Sequence, residues 1–147
     1  TYAPVEKLQI LYDEALAQED VVGLSIGTRP DCVGPDVIDL LKGYAQKYHV
    51  WLELGLQSMH DKTLKFINRG HDFRQFLDAV GTLAGENIHL CAHIIVGLPG
   101  ETDEEILQTA KAVAALPING IKIHSLLALE GTVLGEMYKN GAIKISI

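Results

Sequence analysis

The feature that most constrains the fold is a regular alternation of two kinds of segment. Short apolar segments rich in β-branched residues occur at 21–27, 50–57, 88–97 and 121–129. Patterns typical of amphipathic helices precede or separate them, at 4–19, 35–48, 72–85, 102–115 and 132–139. Strands that alternate with single helices at intervals of roughly 30 residues are typical of βαβ units, whose crossovers join parallel strands. The sequence therefore predicts an α/β protein with a parallel sheet.

Three helix starts carry recognisable signals. Thr102 stands three residues before Glu105, which is the spacing of a capping box, and Asp72 with Gln75 is a looser version of it. Pro35 occupies a first helical position, where its missing N–H costs nothing.

The two faces of each strand differ in polarity. Leucines occupy positions 52, 54 and 56 of the second strand, and the alternate positions carry Glu53, Gly55 and Gln57. The other three strands alternate in a similar way, and on the fourth Ile121 and Ile123 are expected to face the helices, opposite Lys122 and His124. A doubly wound sheet is covered by helices on both faces and is apolar on both, so the pattern argues against one. We predict a partial parallel (βα) barrel, formed as a single domain by residues 1–147, whose small and polar face borders an open interior, the lumen.

Parallel barrels carry their functional residues at the carboxyl ends of the strands. Here those ends are 28–31, 57–58, 97–100 and 129–132, and each carries glycine, hydroxyl or charged groups. The turn Gly97-Leu98-Pro99-Gly100 would let bare backbone approach a ligand, beside the partial positive charge of the helix that starts at 102. The alternative is a simple tight turn between strand and helix.

Several side chains near these ends are candidates for ligand contact. Arg29 would grip a carboxylate or phosphate, or else form a salt bridge to Asp31. Gln57 would offer its amide to sugar hydroxyls or a purine edge, or else make a structural hydrogen bond. His93 is expected to contact a ligand from the lumen face of the third strand.

A metal site is an alternative use of the third strand. His89, Cys91 and His93 share one face, and Glu53 is the nearest further ligand, so a metal-dependent hydrolase using His89 and His93 stays open. Histidines on strands are more often structural. Lys122 and His124 on the fourth strand would contact substrate from the lumen, and the alternative for Lys122 is a pair with Glu53.

Composition limits the classes of partner and compartment. The net charge of −7, from 12 basic and 19 acidic residues, argues against a broad phosphate-binding face. No apolar run is long enough to span a bilayer, and the amino-terminal segment does not resemble a signal peptide. The two cysteines are expected to be free thiols. We therefore expect a cytoplasmic protein that does not associate with membranes.

Three segments together resemble the core of radical S-adenosylmethionine (SAM) enzymes. They are LSIGTRPD (24–31), LELGLQSMHDKTLKFINRGH (52–71) and HIIVGLPGETDEE (93–105). The match is nearest to bacterial proteins related to the catalytic subunit of Elongator and to oxygen-independent coproporphyrinogen dehydrogenases. It implies about four βα units of a (βα)6 TIM-like barrel, corresponding to its third to sixth strands.

The resemblance also assigns cofactor-binding roles. It implies that Gln57, Arg69 and His93 contact SAM and that the Gly97 turn, with Leu98 and Pro99, lies on the adenine side. Arg29 joins this set as a further cofactor-binding candidate. Relatives often carry an acid where this chain has Gly27.

The resemblance implies a 4Fe–4S cluster that this chain lacks the means to bind. The family holds the cluster on a three-cysteine loop, whereas Cys32 and Cys91 are too few and too far apart. We therefore expect the cluster-binding part to be missing and this chain alone to be inactive. The full-length enzyme would cleave SAM reductively to a 5′-deoxyadenosyl radical, with an electron-donor protein and tRNA as the expected substrate. The alternative is a ligand-binding half-barrel that dimerises, and self-association of the chain is expected from its open sheet edges.

Overall fold

The computed structural model describes residues 3–145, which form one parallel sheet with helices between the strands. The elements in chain order are α1 (Val5–Leu16), β1 (Gly23–Thr28), α2 (Pro35–Ala45), β2 (His49–Gln57), α3 (Asp61–Phe66), α4 (Phe73–Leu83), β3 (His89–Val96), α5 (Asp103–Ala114), β4 (Gly120–Ser125) and α6 (Val133–Lys139). All neighbouring strands pair in parallel, in the order β1-β2-β3-β4. The predicted α/β partial barrel is confirmed. Within this range, none of the helices combines the length and hydropathy needed to cross a membrane.

Two predicted strand limits are wrong, namely the start of β1 and the end of β4. The first strand begins at Gly23 rather than 21, because its neighbour β2 begins at the paired residue His49. The fourth strand ends at Ser125 rather than 129, because its pairing partner β3 ends at Val96. Strand length is therefore set by the partner and not by the apolar run alone.

The predicted helix starts are confirmed in detail. Thr102 accepts a hydrogen bond from the Glu105 backbone N–H at 3.3 Å, and the Glu105 side chain accepts one from the Thr102 N–H at 2.9 Å. Asp72 and Gln75 make the same reciprocal pair, at 2.8 and 3.0 Å. Such caps satisfy backbone donors that the first turn of a helix otherwise leaves unpaired.

The core lies between the sheet and the helices on its outer face. Leu52, Leu54 and Leu56 of β2 are at most 1% exposed and belong to one buried cluster with residues of α2 and α4. Leu41 of α2 and Phe76 of α4 are fully buried in the same cluster. Each such side chain contributes about 1.5–3 kcal/mol through the apolar surface it removes from water. The predicted helix-facing side of the central strands is confirmed.

The outer face of β4 departs from this pattern. Ile121 and Ile123 were expected to face a helix, yet they are 46% and 69% exposed. The following helix α6 lies instead at the carboxyl end of the sheet, where Val133, Leu134 and Met137 line a cavity. The polarity pattern predicts the face of a residue, but burial also needs an element to cover it.

The lumen face is partly covered near the amino end of the sheet and open near the carboxyl end. Near the amino end of the sheet, Trp51 packs against His89 with ring centroids 4.9 Å apart, and its ring also lies next to Gly120. Near the carboxyl end, a methyl group added to Gly27 would meet no atom within 4 Å. Open space is therefore available at the end where parallel strands place functional groups.

Candidate functional site

The site starts from an irregularity at the end of β2. The pairing register of β2 with β3 shifts between Gly55, which lies opposite His93, and Gln57, which lies opposite Ile94. Gln57 adopts a φ of 73°, in the left-handed region that residues other than glycine rarely enter. Bulges of this kind redirect side chains near functional sites. Here the Gln57 amide nitrogen comes within 2.8 Å of the point where a Cβ on Gly55 would stand.

The Arg69-Gly70-His71 segment folds back onto the same glycine. Arg69 donates from Nη2 to the Gly55 carbonyl at 3.0 Å, and Nε2 of His71 lies 2.9 Å from that oxygen. His71 is only 5% exposed, and this burial lowers its pKa. Arg69 is thereby held at the strand end beside Gln57, both side chains crowding the space above Gly55.

Arg29 lies beside this segment and is already paired. Its Nε donates to Asp31 Oδ1 at 2.8 Å, and the guanidinium lowers the pKa of Asp31. A Cβ on Gly70 would stand 2.7 Å from Nη2 of Arg29. The salt bridge that the sequence allows is therefore present, and it also places the arginine against the segment that carries Arg69.

His93 belongs to a chain of polar contacts across the lumen face, which we call the lumen network. Its Nε2 lies 2.8 Å from Glu53 Oε2, and its Nδ1 lies 3.1 Å from His124 Nε2. Glu53 also accepts hydrogen bonds from Ser25 and Lys122, each at 2.6 Å. The pKa of Glu53 is lowered to about 2, mainly by the hydrogen bond from the Lys122 ammonium. The predicted pairing of Lys122 with Glu53 is confirmed, and each strand contributes to the network.

The glycine turn after β3 is fixed to the end of β2. Gly97 and Gly100 have φ values of 88° and 83°, which is why glycine is needed at both positions. Ser58, directly after Gln57, donates to the Glu101 carboxylate just beyond the turn. The backbone turn is therefore held next to Gln57.

An apolar cavity of about 420 Å³ adjoins these groups. Its lining includes Asn68, Ile95, Leu98 and Leu126, together with residues of α6. Pro99 faces a separate cavity of about 510 Å³, which Lys62 also lines. Leu98 and Pro99, which were predicted to act together, thus line two different cavities.

Three predicted residues, Arg29, Gln57 and Arg69, lie around Gly55 and Gly70. His93 pairs in register with Gly55, and its side chain belongs to the lumen network. Sequence reasoning missed Ile95, Glu101 and the contact that Ser58 makes with Glu101. Of the missed ones, Ile95 could have been found, since it shares the period-two lumen face with His93. The contact between Ser58 and Glu101 joins residues 43 positions apart and has no local sequence signal.

The side chains in the described part of the chain do not form a set that would hold a metal ion. No group of three His, Cys, Asp or Glu side chains within residues 3–145 is arranged to hold a metal ion. Cys91 is buried, which raises the pKa of its thiol, and Cys32 lies after β1. Because a 4Fe–4S cluster is held by cysteine thiolates and this chain has two cysteines, its own residues do not form the three-cysteine set that the family uses.

The sequence of this chain is similar to one family profile and to several curated proteins. A family profile described as the Radical SAM superfamily matches residues 2–113. A protein of Methanocaldococcus jannaschii is 46% identical over 142 residues, which are 96% of this chain and 44% of that protein. The tRNA uridine(34) acetyltransferase of Methanocaldococcus infernus is 33% identical over 132 residues, covering 87% of this chain and 24% of that protein.

Solved structures show the same architecture. The archaeal Elp3 of Methanocaldococcus infernus, lacking its N-terminus, superposes with a TM-score of 0.71 at 28% identity, over 85% of this chain and 29% of that one. Coproporphyrinogen III oxidase of Escherichia coli gives a TM-score of 0.72 at 21% identity, over 97% and 33%, and so shares the fold. This chain spans less than half the length of the curated relatives it matches. Because the profile covers most of the sequence, the chain belongs to the radical SAM superfamily of enzymes.

Proposed function

We propose that this chain binds SAM at the carboxyl end of its sheet, as part of a radical SAM enzyme. The observation that carries the proposal is the meeting of Gln57 and Arg69 over Gly55, beside the Gly97 turn. A glutamine and an arginine that occupy one strand end, next to a glycine turn and an apolar cavity, match the chemistry of a nucleoside with a charged tail.

Each part of SAM has a suitable group in this arrangement. The cavity lined by Ile95, Leu98 and Leu126 suits the flat adenine ring. The Gln57 amide, which bonds to no other residue in the described part of the chain, can both donate to and accept from ribose hydroxyls. Arg69 and Arg29 supply guanidinium donors suited to the carboxylate of the methionyl group.

The role proposed for this chain is to hold SAM, which supplies the radical chemistry of the superfamily. The residues of the chain do not form the cysteine set for a cluster, so cleavage of SAM, the cluster and the electron-donor protein are assigned to the longer protein. In keeping with this, Gln57 ends β2 and His93 lies on β3, so regular strands position both side chains for a bound cofactor.

Isothermal titration calorimetry with SAM tests the proposal. We expect saturable binding that Arg69→Gln weakens by about 10- to 150-fold, the equivalent of one hydrogen bond to a charged group. Arg74→Gln is the matched control, because Arg74 lies on α4, pairs with Asp78 and is highly exposed. Absence of saturable binding, or equal effects of the two substitutions, would contradict the proposal.

We also propose tRNA as the substrate of the longer protein. The proposal is supported by the relative named tRNA uridine(34) acetyltransferase, which is 33% identical over 87% of this chain. The net charge of −7 indicates that other parts of the protein would supply most phosphate contacts. Mass spectrometry of tRNA nucleosides from cells with and without the gene tests this. Loss of one modified uridine is expected, and an unchanged nucleoside profile would contradict it.

A further inference from the structure

The lumen network contains one group that can only accept hydrogen bonds. Glu53 is an ionised carboxylate, and it takes hydrogen bonds from Ser25 and Lys122 as well as facing His93 Nε2 at 2.8 Å. An ionised carboxylate has no proton to give. The Nε2 atom of His93 must therefore carry the proton in this contact.

That proton fixes the state of the next two ring nitrogens. When both rings are neutral, each imidazole has one N–H, so a proton on Nε2 leaves a lone pair on Nδ1 of His93. The partner of this lone pair is His124 Nε2, at 3.1 Å, which must then be the donor. By the same rule, Nδ1 of His124 holds a lone pair. Within residues 3–145 no partner contacts that atom, and His124 is exposed on the lumen face.

We infer that His124, rather than His93, is the imidazole that accepts a hydrogen bond from the ligand in the lumen, and that Glu53 positions it through His93. Both ring nitrogens of His93 already have protein partners, whereas Nδ1 of His124 does not. The complementary group is a hydroxyl or N–H donor. Given the proposed function, on which this step rests, that donor is a ribose hydroxyl of SAM.

The positioning role predicts defined tautomers before any ligand is added. At about pH 8.5, where an ordinary histidine is neutral, ¹⁵N NMR should show both His93 and His124 protonated at Nε2. Glu53→Gln places an amide that can also donate beside His93, so we expect mixed tautomers at both rings. Lys122→Met leaves the carboxylate in place and should leave both tautomers unchanged. A His124 protonated at Nδ1, or tautomers unaffected by Glu53→Gln, would overturn the positioning role.

The ligand contact is tested separately by adding SAM. Saturation should shift the Nδ1 resonance of His124 and leave the His93 nitrogens nearly unmoved. His124→Ala should weaken SAM binding by about three- to tenfold, as for loss of one neutral hydrogen bond. His49→Gln, at the amino end of β2, is the control and should have no effect. SAM binding that depends on Arg69, with no shift of the His124 Nδ1 resonance, would mean that the contact inferred for His124 is wrong while the proposed function stands. If SAM does not bind, the proposed function and this contact both fail, and the tautomers still decide the positioning role.

Discussion

Gly55→Ala should separate binding at the site from stability of the fold. The added Cβ would stand 2.8 Å from Nε2 of Gln57 and 3.0 Å from Nη2 of Arg69, whereas the nearest backbone atom, the Thr28 carbonyl oxygen, is 3.6 Å away. Carbon atoms do not approach nitrogen so closely without displacement. The two side chains that must move are flexible ends, and they are the two proposed to bind SAM.

The size of the effect follows from the hydrogen bonds that the substitution breaks. Displacing Arg69 removes the charged hydrogen bond proposed to the methionyl carboxylate, and moving Gln57 removes a neutral hydrogen bond to the ribose. Together these are worth about 2–4 kcal/mol of binding free energy, or about 30- to 1,000-fold in Kd. The free energy of unfolding should change by less than about 1 kcal/mol, because alanine restricts the unfolded chain and suits a strand better than glycine.

Calorimetry with SAM and urea unfolding measure the two quantities on the same protein. Gly81→Ala is the matched control, since Gly81 lies on α4 and a Cβ there meets no atom within 4 Å. It should leave SAM affinity unchanged and raise stability slightly. If Gly55→Ala binds SAM as tightly as the parent chain, the packing of Gln57 and Arg69 over this glycine has no role in binding.

Further predictions concern the neighbouring arginine, acid stability, iron and self-association. Gly70→Ala should displace the guanidinium of Arg29, 2.7 Å from the new Cβ, and calorimetry should show weaker SAM binding; unchanged affinity would remove Arg29 from the site. Because the folded pKa of Glu53, about 2, lies below its ordinary value of 4.5, its stabilising effect is present above pH 4.5 and is lost as the pH falls towards 2. Urea unfolding across that range should show Lys122→Met shifting this loss to higher pH, whereas an identical acid profile would contradict the pairing. Anaerobic reconstitution followed by iron analysis should find no stoichiometric iron on this chain, and one cluster per chain would refute the cysteine argument. Light scattering should detect self-association that Ile123→Lys reduces, since that side chain is 69% exposed on β4; a strictly monomeric parent chain would contradict it.

Local pattern was enough to predict the four strands, five of the six helices described and the buried face of the central strands. The alternation of leucines in β2 gives its buried face, and the caps at Thr102 and Asp72 give helix starts, because each depends on residues a few positions apart. The same reasoning was wrong for the burial of Ile121 and Ile123, which depends on where the next helix packs. Which face a residue occupies is a local property, whereas whether that face is covered is a property of the whole fold.

The candidate site also combines residues that local sequence predicts with contacts that depend on the whole fold. Gln57, Arg69 and His93 were predicted from motifs, but their partners follow from register and from one backbone irregularity. Glu53 reaches both His93 on β3 and Lys122 on β4 only because the strands are aligned as they are, and no single strand encodes that alignment. The consequence is chemical: the register decides which imidazole nitrogen is already occupied. A motif can therefore identify the histidine of a family position, while the neighbouring strands determine whether that histidine or the next one is available to a ligand.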